Sequence, residues 1–196
     1  AHDNFTLWDK LVLSMHGKDP DFTRRYEDVL AANRLAAFIY FTCQGNLFMQ
    51  AGEEFGRTKL GEENSYCSRP EINMLSWHQT VEFGDLVEYY RGLIRLRKKL
   101  PGLCDKSPGA EMRITAKSIH RDGVVSFRVN NRALGHESWE ELLIVYNASP
   151  DDYRMRVPEG SWEVLADGKA ADCRRMIEEG VREVPVEGRS GMLLAR

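Results

Sequence analysis

The sequence predicts an α+β chain, with a helical first half followed by an all-β sandwich. Three observations predict it. Apolar residues recur at helical spacing in residues 24–44 and again in 84–100; Pro101-Gly102 ends that regime; and beyond Cys104 the pattern changes to short alternating segments separated by turn residues. With 196 residues, 42% of them hydrophobic and 10% aromatic, the chain carries enough apolar material for one or two cored domains, which excludes disorder.

Taken in order, residues 6–13 (TLWDKLVL) read as a short helix that Asp3, Asn4 or Thr6 can cap. Residues 24–44 predict a longer one, with Asp21 or Thr23 as its cap, Val29, Leu30, Ala36 and Ile39 on its apolar face, and Gly45 as its stop. Asn46 to Gln50 (NLFMQ) reads as a short apolar strand that ends in Ala51-Gly52-Glu53-Glu54, where a buried strand would emerge into solvent. The polar stretch 56–76 follows, and loops of that length in a compact domain tend to carry function. The second strong helix offers Leu86, Tyr89, Tyr90, Leu93, Ile94 and Leu96 to a core and closes on a basic turn that suits the helix dipole.

This helix–strand–loop–helix order is what the end of an α/β barrel would give. The remainder, MRITAK, an Asp122-Gly123 hairpin turn, VVSFRV, ELLIVYN, YRMRV, SWEVLA, REVPV and GMLLA, gives six or seven strands without a helix. The domains so read are 1–102, the barrel part, and 103–196, the β-sandwich.

The formal charge of −3, from 27 basic and 30 acidic residues spread along the chain, provides no basic face for nucleic acid and points to a neutral partner. Cys43, Cys67, Cys104 and Cys173 form no C-x-x-C pair and read as free thiols. The most apolar run, residues 35–41, is far shorter than the ~20 residues of a membrane span, so the sequence predicts a soluble chain. A lone Ala before a His-Asp-Asn triplet reads as the start of a piece cut from a longer protein, and a missing leader then says nothing about compartment.

Glu53 and Glu54 tempt an acid/base reading, but neighbours on an extended chain point to opposite sides and cannot flank one bond by adjacency. One structural and one solvated carboxylate is the simpler reading. His16 and His120 lack ligand-like companions and read as surface residues. The triplet His2-Asp3-Asn4 carries more. A carboxylate beside an imidazole at the end of a barrel strand can bind sugar hydroxyls and favour positive charge in an oxocarbenium-like transition state.

The ordered set of residues 2–11 (HDNFTLWDKL), 44–55 (QGNLFMQAGEEF), Arg57-Thr58-Lys59, Glu63-Asn64-Ser65-Tyr66, Ile72-Asn73 and Trp77 closely resembles the C-terminal part of type I pullulanases. These belong to the α-amylase family, glycoside hydrolase family thirteen. The resemblance implies that the H-D pair closes the seventh barrel strand and that Q-A-G-E-E follows the eighth. By the same resemblance Asp3 matches the third catalytic carboxylate and His2 the substrate-binding histidine, with Asn4 beside them; Asn64 and Tyr66 border the cleft. The catalytic nucleophile and general acid would lie on strands four and five, before residue 1, so the chain alone is expected to be inactive.

The implied parent cleaves α-1,6-glucosidic bonds in pullulan, starch or glycogen limit dextrin. No cofactor is implied, and no D-x-D-x-D-G loop marks a calcium site. The alternative is a non-catalytic carbohydrate-binding module of a starch-active protein, for which Trp139, Tyr153 and Trp162 are the candidate platforms. A barrel cut in this way is also expected to expose the apolar face of residues 29–49 and to pair as a homodimer through residues 38–49.

Overall fold

The computed structural model describes residues 4–132 and 139–196. It comprises two compact units: Ala1–Asn33 with Phe48–Glu88, and Arg34–Leu47 with Tyr89–Arg196. The division falls inside two long helices, α2 (Glu27–Thr42) and α5 (Gly84–Lys99), while residue 103 lies in a single 3-10 turn, Pro101–Leu103, that follows α5.

In the first unit α1 (Leu7–His16) starts at Thr6, whose side chain accepts from the Asp9 backbone N–H, and the helix turns Trp8 and Val12 inward. Trp8 meets Phe83 edge to face at 5.0 Å, and its indole N–H donates to the Phe22 carbonyl. Asp21 does not cap α2. Its carboxylate accepts from the backbone N–H and the hydroxyl of Thr23, closing a local turn, and α2 begins four residues later. Arg25 pins the start of α5 by forking onto both Asp85 oxygens and donating to the Glu82 carbonyl; the Asp85 carboxylate in turn raises the guanidinium pKa. A short helical turn, α3 (Pro70–Asn73), interrupts the polar stretch 56–76, and a second, α4 (Gln79–Glu82), follows it.

Two expectations are corrected. Residues 46–50 form no strand; among the described residues the first strand begins at Ile114. A parallel barrel strand exists only as part of a ladder, and among the described residues NLFMQ has no neighbouring strand to satisfy its backbone, so it stays irregular with Phe48 80% exposed. Nor is the apolar face of α2 open. Val29, Leu30, Leu35, Phe38 and Phe41 are buried within this one chain, and among the described residues 29–49 Phe48 is the one large apolar side chain left exposed. The exposed apolar face from which pairing was expected is thus reduced to Phe48 among the described residues.

The second unit is built on a six-stranded antiparallel sheet of order β1-β2-β3-β8-β5-β6 and a two-stranded sheet β4-β7. Their strands are β1 (Ile114–Arg121), β2 (Val124–Asn130), β3 (Glu141–Asn147), β4 (Tyr153–Arg156), β5 (Glu163–Ala166), β6 (Ala171–Met176), β7 (Glu183–Val186) and β8 (Ser190–Ala195). The Asp122-Gly123 turn joins β1 to β2 with Arg121 opposite Val124. One face of the large sheet carries Leu143, Val145, Met192 and Leu194, which form a core with Met155 of β4 and Val184 of β7. The intervening residues face the other way, toward helix. There Gly191 receives the Phe38 ring, Tyr146 meets Phe38 edge to face and shares a 2.7 Å hydrogen bond with Thr42, and Gly92 of α5 approaches Ala171.

β3 and β8 are therefore covered on both faces, which is why LLIV and GMLLA read as continuous apolar runs. The sandwich is unequal, six strands against two. β6 was not among the expected strands, because ADCRRM lacks apolar alternation; it is secured by β5 and by Asp172, whose carboxylate accepts from Arg95 and Lys99 of α5. All four cysteines are free, and among the described residues no helix is long and apolar enough to cross a membrane.

Candidate functional site

The first helix carries a carboxylate where its neighbours carry apolar side chains. Asp9 is fully buried between Trp8 and Val12 in sequence, and an ion so placed must be compensated. Three donors converge on it from the polar loop: the Thr58 hydroxyl (2.5 Å) on one oxygen, and the backbone N–H groups of Lys59 (2.8 Å) and Gly61 (3.3 Å) on the other. Leu60 and Gly61 both have positive φ, 55° and 76°, and this tight turn aims the two N–H groups at one acceptor.

From that anchor the loop is held side chain by side chain. Lys59 is 2% exposed, and its ammonium donates to the Ser65 hydroxyl at 2.7 Å. The Ser65 hydroxyl donates to the Asn73 side-chain oxygen (2.8 Å), and the Asn73 side-chain NH2 donates back to the Ser65 backbone carbonyl (2.7 Å). Arg57 donates to the Asn73 and Ala51 backbone carbonyls. Gly52 is required beneath it, since its φ is 94° and an added Cβ would stand 2.8 Å from the Arg57 Cβ. Glu54 accepts from the Gly52 N–H, so it anchors the loop.

The sequence-derived site residues distribute unevenly on this frame. His2 and Asp3 lie outside the described residues. Asn4 is exposed two residues ahead of the Thr6 cap, with φ 71° and its side-chain oxygen accepting from the Phe5 N–H. Asn64 and Tyr66 flank the buried Ser65 and are both exposed, Tyr66 to 72%. An amide and a phenol presented outward from a fixed turn can hydrogen-bond hydroxyls and lay a ring against an apolar face. A hollow of about 350 Å³ is lined by Thr58, Leu60, Glu71, Met74, His78 and Glu82, and neither Asn64 nor Tyr66 lines it. His16 stacks on Tyr26 and bonds Asp28, and His120 bonds the Ser126 hydroxyl; both are exposed. Among the described residues no group of three His, Cys, Asp or Glu side chains is arranged to hold a metal ion.

Sequence reasoning missed Asp9, Lys59, Ser65 and Asn73 as a lattice. The signal was present in LWDKLV, where a carboxylate sits among the apolar positions of a short helix. In the second unit the three aromatic side chains named as a sugar platform do not form one. Trp139 and Trp162 are 6% and 1% exposed, their N–H groups donate to Glu163 and to the Pro158 carbonyl, and Arg174 and Arg196 cover their faces. Tyr153 is half-buried under Arg121.

The family model described as pullulanase, all-beta domain, matches residues 118–170, that is, from the middle of β1 past the end of β5. A pullulanase of Bacillus subtilis (strain 168) is 34% identical over 158 residues, which are 81% of this chain and 21% of that protein. A glycogen debranching enzyme of Pectobacterium carotovorum subsp. carotovorum (strain PC1) is 27% identical over 200 residues, 84% of this chain and 29% of its own length. Among solved structures, the pullulanase from Bacillus acidopullulyticus superimposes on 100% of this chain and 23% of its own with a TM-score of 0.85 at 27% identity. The pullulanase from Paenibacillus barengoltzii in complex with maltohexaose and alpha-cyclodextrin does so over 99% of this chain and 28% of its own, with a TM-score of 0.79 at 36% identity. The chain spans between about a fifth and three tenths of the length of these relatives. Alike in sequence over most of its length and in fold over nearly all of it, the chain is a homologue of the bacterial pullulanases and glycogen debranching enzymes.

Proposed function

We propose that this chain is the C-terminal part of a retaining, pullulanase-type glycoside hydrolase that cleaves α-1,6-glucosidic branches in pullulan, starch or glycogen limit dextrins. In this reading residues 1–102 complete a (β/α)8 barrel after its seventh strand, and residues 103–196 are a β-sandwich that stabilises it. The observation that carries the proposal is the fit of nearly the whole chain to pullulanases solved with maltohexaose and alpha-cyclodextrin or with maltose.

Retaining hydrolysis needs two carboxyl groups about 5 Å apart, a nucleophile and a general acid, which the remainder of the barrel would supply. Asp3 adds a third carboxylate, whose charge counts most when the reacting glucose approaches an oxocarbenium ion. His2 and Asn4 would bind the hydroxyls of that glucose, and Asn64 and Tyr66 would border the chain beyond it. Burial of both sandwich indoles gives no support to a separate sugar-binding role for residues 103–196.

The test is an assay of the longer protein on pullulan and on linear amylose, with reducing ends measured. Asp3→Asn should lower kcat by orders of magnitude and raise KM far less. A near-normal kcat would remove Asp3 from catalysis, and equal rates on amylose would overturn the branch specificity. The isolated chain should hydrolyse neither substrate; turnover by the pure chain would refute the division of labour.

A further inference from the structure

We infer that Asp9 is a positioning residue for the glucan: its buried carboxylate fixes the turn at residues 58–61, and through Lys59 and Ser65 it holds Asn64 and Tyr66 in register with the start of α1. This rests on the reading above, in which those two side chains border the substrate and the residues just ahead of α1 bind the reacting sugar. The connection is short. Asp9 accepts from the backbone of Lys59, and the same residue's side chain donates to Ser65, whose neighbours on either side are Asn64 and Tyr66. Nothing apolar could substitute, since Ser65 and Lys59 are 1% and 2% exposed and hold one another through polar atoms.

A carboxylate is also the group this geometry demands. All three donors present hydrogen to Asp9, so an acceptor-only side chain satisfies them together. An Asn of the same shape would turn its NH2 toward Thr58 or toward the amides of Lys59 and Gly61, and part of the turn would be released. Asp9 stands six residues after Asp3, on the helix that opens immediately beyond the triplet. The carboxylate thus ties the loop to the first turn of α1.

In the longer protein, Asp9→Asn and Thr58→Val are compared with Tyr66→Ala and with each double variant, by steady-state kinetics on pullulan. Asp9→Asn should raise KM by roughly 5- to 30-fold with kcat changed much less, and Thr58→Val, which removes one donor and keeps the fold, should act in the same direction and more weakly. Tyr66→Ala should raise KM alone and add little on top of Asp9→Asn, because the ring has already lost its position. A folded Asp9→Asn protein with unchanged KM, or effects on KM that simply multiply, would overturn the inference. If Tyr66→Ala and Asn64→Ala both leave KM unchanged, the glucan reading of the loop fails and this inference with it. If they raise KM and neither Asp9→Asn nor Thr58→Val does, the inference alone fails. Should Asp9→Asn not fold, Thr58→Val with its Tyr66→Ala double variant decides by the same criteria.

Discussion

Replacing Gly191 by Ala should destabilise the second unit, and removing the Phe38 ring should abolish most of that cost. A Cβ built on Gly191 falls 2.0 Å from Cδ1 and 2.5 Å from Cε1 of Phe38. Ordinary carbon contacts lie at about 3.5–4.0 Å, so one partner must retreat by about 1.5 Å. Neither has room. Phe38 is fully buried and stands against Tyr146, whose hydroxyl is bonded to Thr42, and β8 is flanked by β3 and β5 in the middle of the sheet. Overpacking costs about 1–3 kcal/mol, and this contact belongs at the upper end. For a chain of this length about 3 kcal/mol lowers the melting temperature by about 6–12 °C. Phe38→Ala alone should cost about 3–5 kcal/mol through the cavity it leaves. In that background the Gly191 methyl enters empty space, so the double variant should be about 2 kcal/mol more stable than the two single costs predict. Urea unfolding followed by tryptophan fluorescence measures all four proteins. Additivity within about 0.5 kcal/mol, or a Gly191→Ala protein that melts like the parent, would refute the packing argument.

Three further outcomes are expected. The Ser107 backbone N–H and hydroxyl, with Arg113, hold the Asp105 carboxyl at about 2. Its folded value lies below the unfolded one near 3.9, so its stabilisation is complete above about pH 4 and fades as pH falls toward 2; Asp105→Asn should flatten acid unfolding in that window, and an unchanged profile would refute the role. Arg97 donates to the carbonyls of Phe41, Cys43, Gly45 and Leu103, which one ammonium cannot reach together, so Arg97→Lys should cost about 1.5–3 kcal/mol in chemical denaturation. A loss below 0.5 kcal/mol, on the order of measurement error for such additive effects, would show that water replaces the fork. Acrylamide should quench Trp77, 67% exposed, and spare Trp8, Trp139 and Trp162; a Trp77→Phe protein that is still strongly quenched would contradict the burial of the other three.

What the sequence made legible was whatever depends on a segment's own two faces. The helices α2 and α5, and seven of the strands, are set by periodicity that survives in any context. NLFMQ and ADCRRM fail for opposite versions of one reason. The first has strand composition and no partner strand among the described residues, whereas the second has charged composition and a partner that makes it a strand. The start of α1 offered three adequate capping residues in four positions, which local chemistry does not rank, and it is the Thr6 side chain that accepts from the Asp9 N–H.

The site was legible to a different depth. The loop at 56–76 stood out as polar and long, and the residues that carry the resemblance were visible in it. Their division of labour was not. Ser65 turns inward onto Lys59 and Asn73 onto Ser65, while Asn64 and Tyr66, drawn from the same short motif as Ser65, turn outward. All are polar, and a polar residue on a loop reads the same whether it holds the loop or meets a ligand. Burial separates them. A substitution at Ser65 or Asn73 that weakened glucan binding would therefore not identify a contact, because it would release the turn that presents Tyr66. Loss of the outward side chains leaves that lattice intact, so within this loop it is at Asn64 and Tyr66 that a change in KM would test the proposed contact with a glucan.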